Sequence, residues 1–217
     1  MYIGRLFSNR RLFRNLCKVI NMIKSFVWFV VFMITSVCMV AQSRYELPCG
    51  LMLNRLSLEY ARSQVGISDA KNPGQVREYL KTAGVGYYNP FCASGLYWCK
   101  VQGKKTLEFY NKMFGTQYDT KLPYPRSALA NYPFNYAKKH GTKTAYTPQV
   151  TDYLVWYISG TPNGHIEVVD SLGSAGWLSC IGFNTGNREV KRTKRNIYHP
   201  LGRRLVRGLV GFKQYDN

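Results

Sequence analysis

Along residues 54–65, NRLSLEYARSQV, the larger apolar side chains recur at steps of three and four (Leu56, Tyr60, Ala61 and Val65, with Gln64 on the same face), and the pattern stops at Gly66. That spacing predicts a helix. NPGQVREYLKTAG repeats the form, with Pro73 in the first turn, Val76, Tyr79 and Leu80 on one face and Gly84 as the stop. A third helix is expected to open at Cys92 in CASGLYWCKVQ, although Gly95 weakens its propensity. Between Gly103 and Thr151, prolines at 123, 125, 133 and 148 break the pattern. That stretch reads as loop with a short helix around RSALANYPFNYAKKHG, wrapped over a sheet.

From Asp152 the texture changes. DYLVWYIS, GHIEVVDS, GWLSCIGFN, REVKRTKR and RLVRGLVGFKQY are short, rich in β-branched and aromatic residues, and separated by Gly, Pro and Asn. Helices first and an antiparallel sheet second predict an α+β domain, N-terminal helices packed on a C-terminal sheet. Aromatic residues are 15% of the chain and charged residues 19%, which describes a folded domain and argues against disorder. At 217 residues, one domain is expected.

The N-terminus stands apart. Arg5, Arg10, Arg11, Arg14, Lys18 and Lys24 precede SFVWFVVFMITSVCMVAQS, which carries no charge until Arg44. A basic segment, an apolar run and small Ala41 are the parts of a signal peptide over residues 1–41, with Met22 as an alternative true start. An uncleaved anchor is the competing reading, because the uncharged run approaches the roughly 20 residues that span a bilayer. Either version exports residues 42–217 to the periplasm or cell envelope. Loss of the six leader bases takes the formal charge from +19 to +13. Much of the remaining excess lies in Arg188, Lys191, Arg192, Lys194, Arg195, Arg203, Arg204 and Arg207. Such a surface attracts polyanions, of which an exported protein meets anionic envelope polymers more readily than nucleic acid; a merely solvated face is the alternative.

Cys92 follows Pro90 and Phe91 and precedes two small residues and a glycine. A buried structural thiol, half of a disulfide and a nucleophile are all open to it. A helix N-terminus stabilises a thiolate through its free amides and dipole, and those amides can also hold an oxyanion. Of the histidines, His165 begins a strand after a glycine turn, whereas His140 in KKHGTK and His199 in YHPLG read as solvated loops. Asn184, one strand later, offers an amide oxygen to hold the imidazole tautomer, although Asn is also a common turn former. Cys, His and Asn in this order are the papain-like arrangement. Cys92 and Cys99, seven residues apart on one helix, are separated by about 10.5 Å, too far for a disulfide. Cys99 with Cys180 remains conceivable, a reduced buried pair equally so.

The segment ARSQVGISDAKNPGQVREYLKTAGVGYYNPFCASGLYWC, then TDYLVWYISGTPNGHIEVVDS, then IGFNTGNREVKRTKR resembles the NlpC/P60 and CHAP superfamily of cysteine peptidoglycan amidohydrolases, closest to the CHAP-like members, over roughly residues 54–213. It departs from that pattern at Phe91, where a Trp is usual, at Thr151, and at Gly182 and Phe183, where Glu and Gly are frequent. The resemblance implies a papain-like fold and an exported cell-wall hydrolase that cuts an amide bond of peptidoglycan stem peptides, as N-acetylmuramoyl-L-alanine amidase or endopeptidase. Cys92 would be nucleophile, His165 base and Asn184 the orienting group. Gln64 and Asn72 are candidates for the oxyanion or substrate, and Phe91, Tyr88 and Trp156 for cleft walls, core being the alternative for the aromatics. No metal or cofactor is implied, since Cys92 and His165 have no further partners at ligand spacing; the partner is peptidoglycan, with no specific nucleic acid, and the protein is expected to be a monomer. A non-catalytic envelope-binding module of the same fold and a cationic polyanion-binding protein are the alternatives.

Overall fold

The computed structural model describes residues 49–140, 144–145 and 147–211, all within the unit Pro48–Asn217. The leader expected over residues 1–41 and the side chain of Cys49 lie outside the described residues. Among the described residues, no helix is long and apolar enough to cross a membrane.

The fold is α+β. Helices α1 (Cys49–Ser63), α2 (Pro73–Ala83), α3 (Cys92–Phe114) and α4 (Tyr132–Lys139) precede strands β1 (Thr144–Ala145), β2 (Tyr153–Tyr157), β3 (Gly164–Leu172), β4 (Trp177–Thr185), β5 (Glu189–Asn196) and β6 (Leu205–Val210). The strands form one sheet in the order β1-β6-β2-β3-β4-β5, antiparallel at every pairing. Pro73 opens α2, and Gly84 closes it at φ 79, where its amide reaches the carbonyls of Leu80 and Lys81.

The main correction concerns α3. It runs on past the expected CASGLYWCKVQ segment into the stretch read as helix and loop, and ends only at Gly115, φ 66. Both interior glycines of this helix are places of close approach. A Cβ on Gly95 would fall 2.0 Å from Cδ1 of Phe183 on β4, and one on Gly103 would meet Ser57 Oγ at 3.1 Å and Leu53 Cδ1 at 3.2 Å on α1. Propensity lost at these positions is exchanged for contact, so the helix lies flush on the sheet at one point and on α1 at the other.

A core of Leu58, Tyr79, Leu96, Val155, Ile166, Val168, Ile181 and Phe183, among others, fills the space between helices and sheet. Strand alternation sends Leu154, Trp156, Val169, Leu178 and Cys180 into a second cluster, against Ile197, Leu201 and Val206. Within the first, Tyr79 lies 5.2 Å from Phe183, 5.2 Å from Trp98 and 6.0 Å from Phe91, centroid to centroid.

Four of the eight C-terminal bases form ion pairs within the protein. Arg188 donates to Asp69 at 2.7 Å, Lys191 pairs with Glu189 at 2.9 Å, Arg192 pairs with Asp170 and Arg195 with Glu167. Asp170 also receives Arg62 of α1 at 2.6 Å, so the cations here join elements as well as face solvent.

Candidate active site

Cys92 is the first residue of α3, and the first intrahelical bond runs from the Gly95 amide to the Phe91 carbonyl at 2.9 Å. The amides of Cys92, Ala93 and Ser94 therefore precede the helical ladder and point out of the helix end. His165 is the second residue of β3, preceded by Gly164, where a Cβ would fall 2.3 Å from the Trp156 carbonyl oxygen. The two ends meet closely enough that Cys92 raises the proton affinity of the His165 ring. Both side chains are buried, with residue exposures of 5% and 7%.

A ring nitrogen of His165 is held by a residue that the sequence reading did not single out. His165 Nε2 lies 3.0 Å from Oε1 of Glu167, which is wholly buried. Glu167 Oε2 accepts the Thr193 hydroxyl at 2.5 Å and Arg195 Nε at 3.0 Å, while Arg195 Nη2 donates to Oε1 at 2.6 Å. Burial opposes charge on both members of the central pair. For His165, burial is the largest single influence and lowers proton affinity. The hydrogen bond to Glu167 and the interaction with Cys92 outweigh it, raising the pKa to about 9. For Glu167, burial raises the pKa, and the bonds and charges of His165 and Arg195 overcome it, bringing it down to about 2. The ring is thus held as imidazolium beside a carboxylate at neutral pH.

Asn184 does not hold the ring. It sits at φ 56, where the β4–β5 register shifts between Gly182 and Thr185, which is the turn role open to it from sequence. Its expected place against the imidazole is filled by Glu167, whose cross-strand partner is Gly182. A Cβ on Gly182 would lie 2.6 Å from Glu167 Oε1, so a glycine at 182 leaves room for the carboxylate supplied from the neighbouring strand. One signal for this was present in the sequence. In His165-Ile166-Glu167 the spacing of two places both polar side chains on one face of a strand.

The remaining candidates separate. Phe91 is fully buried against Tyr79, with the Arg188 guanidinium 5.6 Å from its ring centroid, so it belongs to the core rather than a cleft wall. Trp156 is only 1% exposed and lies beside His165, with centroids 5.9 Å apart, and so packs against the base rather than lining an open cleft. Tyr88 is 90% exposed and available to a ligand. Gln64 Oε1 accepts the Tyr79 hydroxyl at 2.7 Å and its Nε2 donates to Ser63 Oγ at 2.9 Å, while Asn72 Oδ1 accepts the Ser68 amide at 3.4 Å. Those side chains are engaged locally, leaving the helix-end amides as the donors adjoining the thiol. His140, stacked on Tyr136, and His199 are exposed. Cys92, Cys99 and Cys180 are all free thiols. Cys99 belongs to the helix-side core and Cys180 to the second cluster, which rules out the disulfide between them. Among the described residues, no group of three or more His, Cys, Asp or Glu is arranged to hold a metal ion.

No protein-family model matches this chain, and no curated protein matches its sequence. A solved structure described as "The crystal structure of Ly7917" aligns at 17% identity and a TM-score of 0.37, over 66% of this chain and 56% of that one. This chain therefore spans little more than half the length of that protein, and a likeness at this level carries no argument.

Proposed function

We propose that the protein is an exported cysteine amidohydrolase with a papain-like, CHAP-type fold, cutting an amide bond in peptidoglycan stem peptides. The observation that carries the reading is a thiol at a helix N-terminus close enough to an imidazole to raise its proton affinity, with a ring nitrogen of that imidazole held by a buried carboxylate. A buried structural cysteine needs no such partner; an acyl-transfer thiol does.

In this reading the Cys92 thiolate attacks the scissile carbonyl carbon while the amides of the α3 N-terminus receive the developing oxyanion. The carbon–nitrogen bond breaks as the His165 imidazolium gives its proton to the departing nitrogen, leaving a thioester on Cys92. Neutral His165 then takes a proton from water, the hydroxide oxygen bonds to the acyl carbon, and the carbon–sulfur bond breaks to free the carboxylic acid and the thiolate. Glu167 takes the orienting role first given to Asn184. The substrate class rests on the resemblance of the Cys92, His165 and 181–195 segments to the cell-wall amidohydrolases, and the cationic surface fits an anionic envelope.

The test is purified sacculi incubated with the protein and analysed by mass spectrometry of the released muropeptides. New amine and carboxyl termini at one peptide position are expected, with loss of at least 10³-fold in Cys92→Ala, the scale of removing a covalent nucleophile. Retained wall lysis in Cys92→Ala removes the nucleophile. Binding to sacculi without cleavage, in a wild-type protein whose thiol ignores iodoacetamide at neutral pH, favours the non-catalytic module.

A further inference from the structure

We propose that Arg195 is a positioning residue for proton transfer. Its guanidinium fork fixes Glu167 against His165, and its charge offsets the carboxylate so that the imidazolium can release its proton to the leaving nitrogen. The proposal rests on the hydrolase reading above and deepens it.

The geometry is that of a closed ring of side chains. Arg195 on β5 reaches both oxygens of Glu167 on β3, at 2.6 and 3.0 Å; Glu167 holds His165 at 3.0 Å; the His165 ring lies 5.9 Å from that of Trp156 on β2; and the Arg195 guanidinium carbon lies 5.7 Å from the Trp156 centroid. β4 separates β3 from β5, and the fork spans it. Gly182 permits this, because a Cβ there would crowd Glu167 Oε1. A structural ion pair needs only that two charges meet. Here one oxygen, Oε1, is shared by the guanidinium and the imidazole, so the position of one donor sets the position of the other.

The sharing has an electrostatic consequence. A bare buried carboxylate 3.0 Å from an imidazolium would hold the proton hard, which favours the thiolate partner but hinders delivery of that proton to the leaving group. With Arg195 present, imidazolium, carboxylate and guanidinium alternate in sign next to the Cys92 sulfur. The groups facing this chain are Cys92 from α3 and Glu167 from β3, with Thr193 and Arg195 from β5 closing on Glu167. The Cys180 thiol of β4 lies within electrostatic reach of Glu167 and Arg195, with Asp170 acting on Cys180 in turn. Trp156 contributes no charge. Loss of the Arg195 cation strengthens proton binding at Glu167 and, through it, at His165.

The experiment follows histidine protonation by NMR in the full chain, which has only three histidines, alongside the pH dependence of Cys92 alkylation by iodoacetamide and of hydrolysis. In Arg195→Gln the His165 midpoint is expected to rise by about one pH unit, the acid limb of alkylation to rise with it, and kcat to fall about tenfold with KM little changed. Arg195→Lys restores the charge but not the fork, so the midpoint returns toward wild type while kcat stays low. A folded Arg195→Gln protein with the wild-type midpoint and alkylation profile overturns the proposal. If Arg195→Gln does not fold, Arg195→Lys decides, and wild-type kcat in that variant overturns it. Hydrolysis that persists in Cys92→Ala defeats the hydrolase reading and the proposal's catalytic half with it; a shifted His165 midpoint in Arg195→Gln then still sustains the electrostatic coupling.

Discussion

Two buried ionisable centres touch helix α3 and handle charge in opposite ways. At the N-terminus, His165 is held charged by Cys92 and Glu167, and Glu167 in turn by Arg195. Two turns along the same helix, Lys100 is wholly buried, with its Nζ 2.5 Å from Asn54 Oδ1 and 5.5 Å from the Tyr153 ring centroid. There burial dominates and lowers the lysine pKa to about 7, against the upward pull of Cys99 and Asp152. The difference is one of balance. Around His165 the bonds and charges of its neighbours outweigh burial, whereas at Lys100 burial outweighs the pull of Cys99 and Asp152.

The strongest way to break the comparison is to remove the anchor's partner. Glu167→Gln leaves Arg195 without its buried counter-ion and is expected to cost about 3 kcal/mol of stability, with activity reduced by a hundredfold or more. Urea unfolding and the hydrolysis assay would measure the two effects, and a change of less than 1 kcal/mol would mean that the site is not held together by that carboxylate.

Next in size is Gly95→Ala. Helix propensity alone predicts a gain of about 1 kcal/mol, whereas the 2.0 Å approach to Phe183 predicts a net loss of about 2 kcal/mol from overpacking. The sign of the change in a denaturation midpoint decides between them. Rescue by Phe183→Leu, which vacates the ring, would locate the clash.

A pH titration of stability sharpens the contrast further. His165 has a raised folded pKa, so its contribution is complete below about 6.5 and is lost as pH rises through about 9. Lys100 has a lowered folded pKa, so the unfolded chain binds the extra proton between about 7 and 10.5, and stability gained there rises with pH. The two slopes oppose one another in the window where they overlap. Lys100→Met removes the rising one, and stability measured from pH 7 to 9 should then fall more steeply than in wild type, by on the order of 1 kcal/mol over that interval. An identical slope in both proteins would show that Lys100 is not the group being neutralised.

The smallest expected effect is at Asn184. Asn184→Gly relieves a left-handed backbone position and should change stability by no more than about 1 kcal/mol and activity by less than twofold. A large loss of activity would return the orienting role to the amide.

Much of the sheet was legible because alternation and glycine punctuation act locally, and the places of Cys92 at the opening of a helix and His165 at the start of a strand were legible because such positions have short-range signatures. The length of α3 was not. Gly95 and Gly103 look like weak points until Phe183, Ser57 and Leu53 arrive from distant parts of the chain to occupy the space a side chain would need. Glu167 was missed for a related reason: an orienting group was sought on the next strand, and Glu167 stands out only when Gly182 opposite is seen to leave room for it. Phe91 is placed at a cleft wall only by the resemblance, and for Trp156 cleft and core both stand open, because aromatic character by itself does not distinguish a surface that grips a ligand from one that excludes water.

The two contacts along α3 also govern how well its tip is aimed. The pins at Gly95 and Gly103 are eight residues apart, about 12 Å of helix, and the sulfur-bearing residue overhangs the nearer pin by only three, about 4.5 Å. In a lever with so short an overhang, a displacement at the far pivot reaches the tip at well under half its size. Slack at the α1 end is therefore damped before it can disturb the aim of the nucleophile.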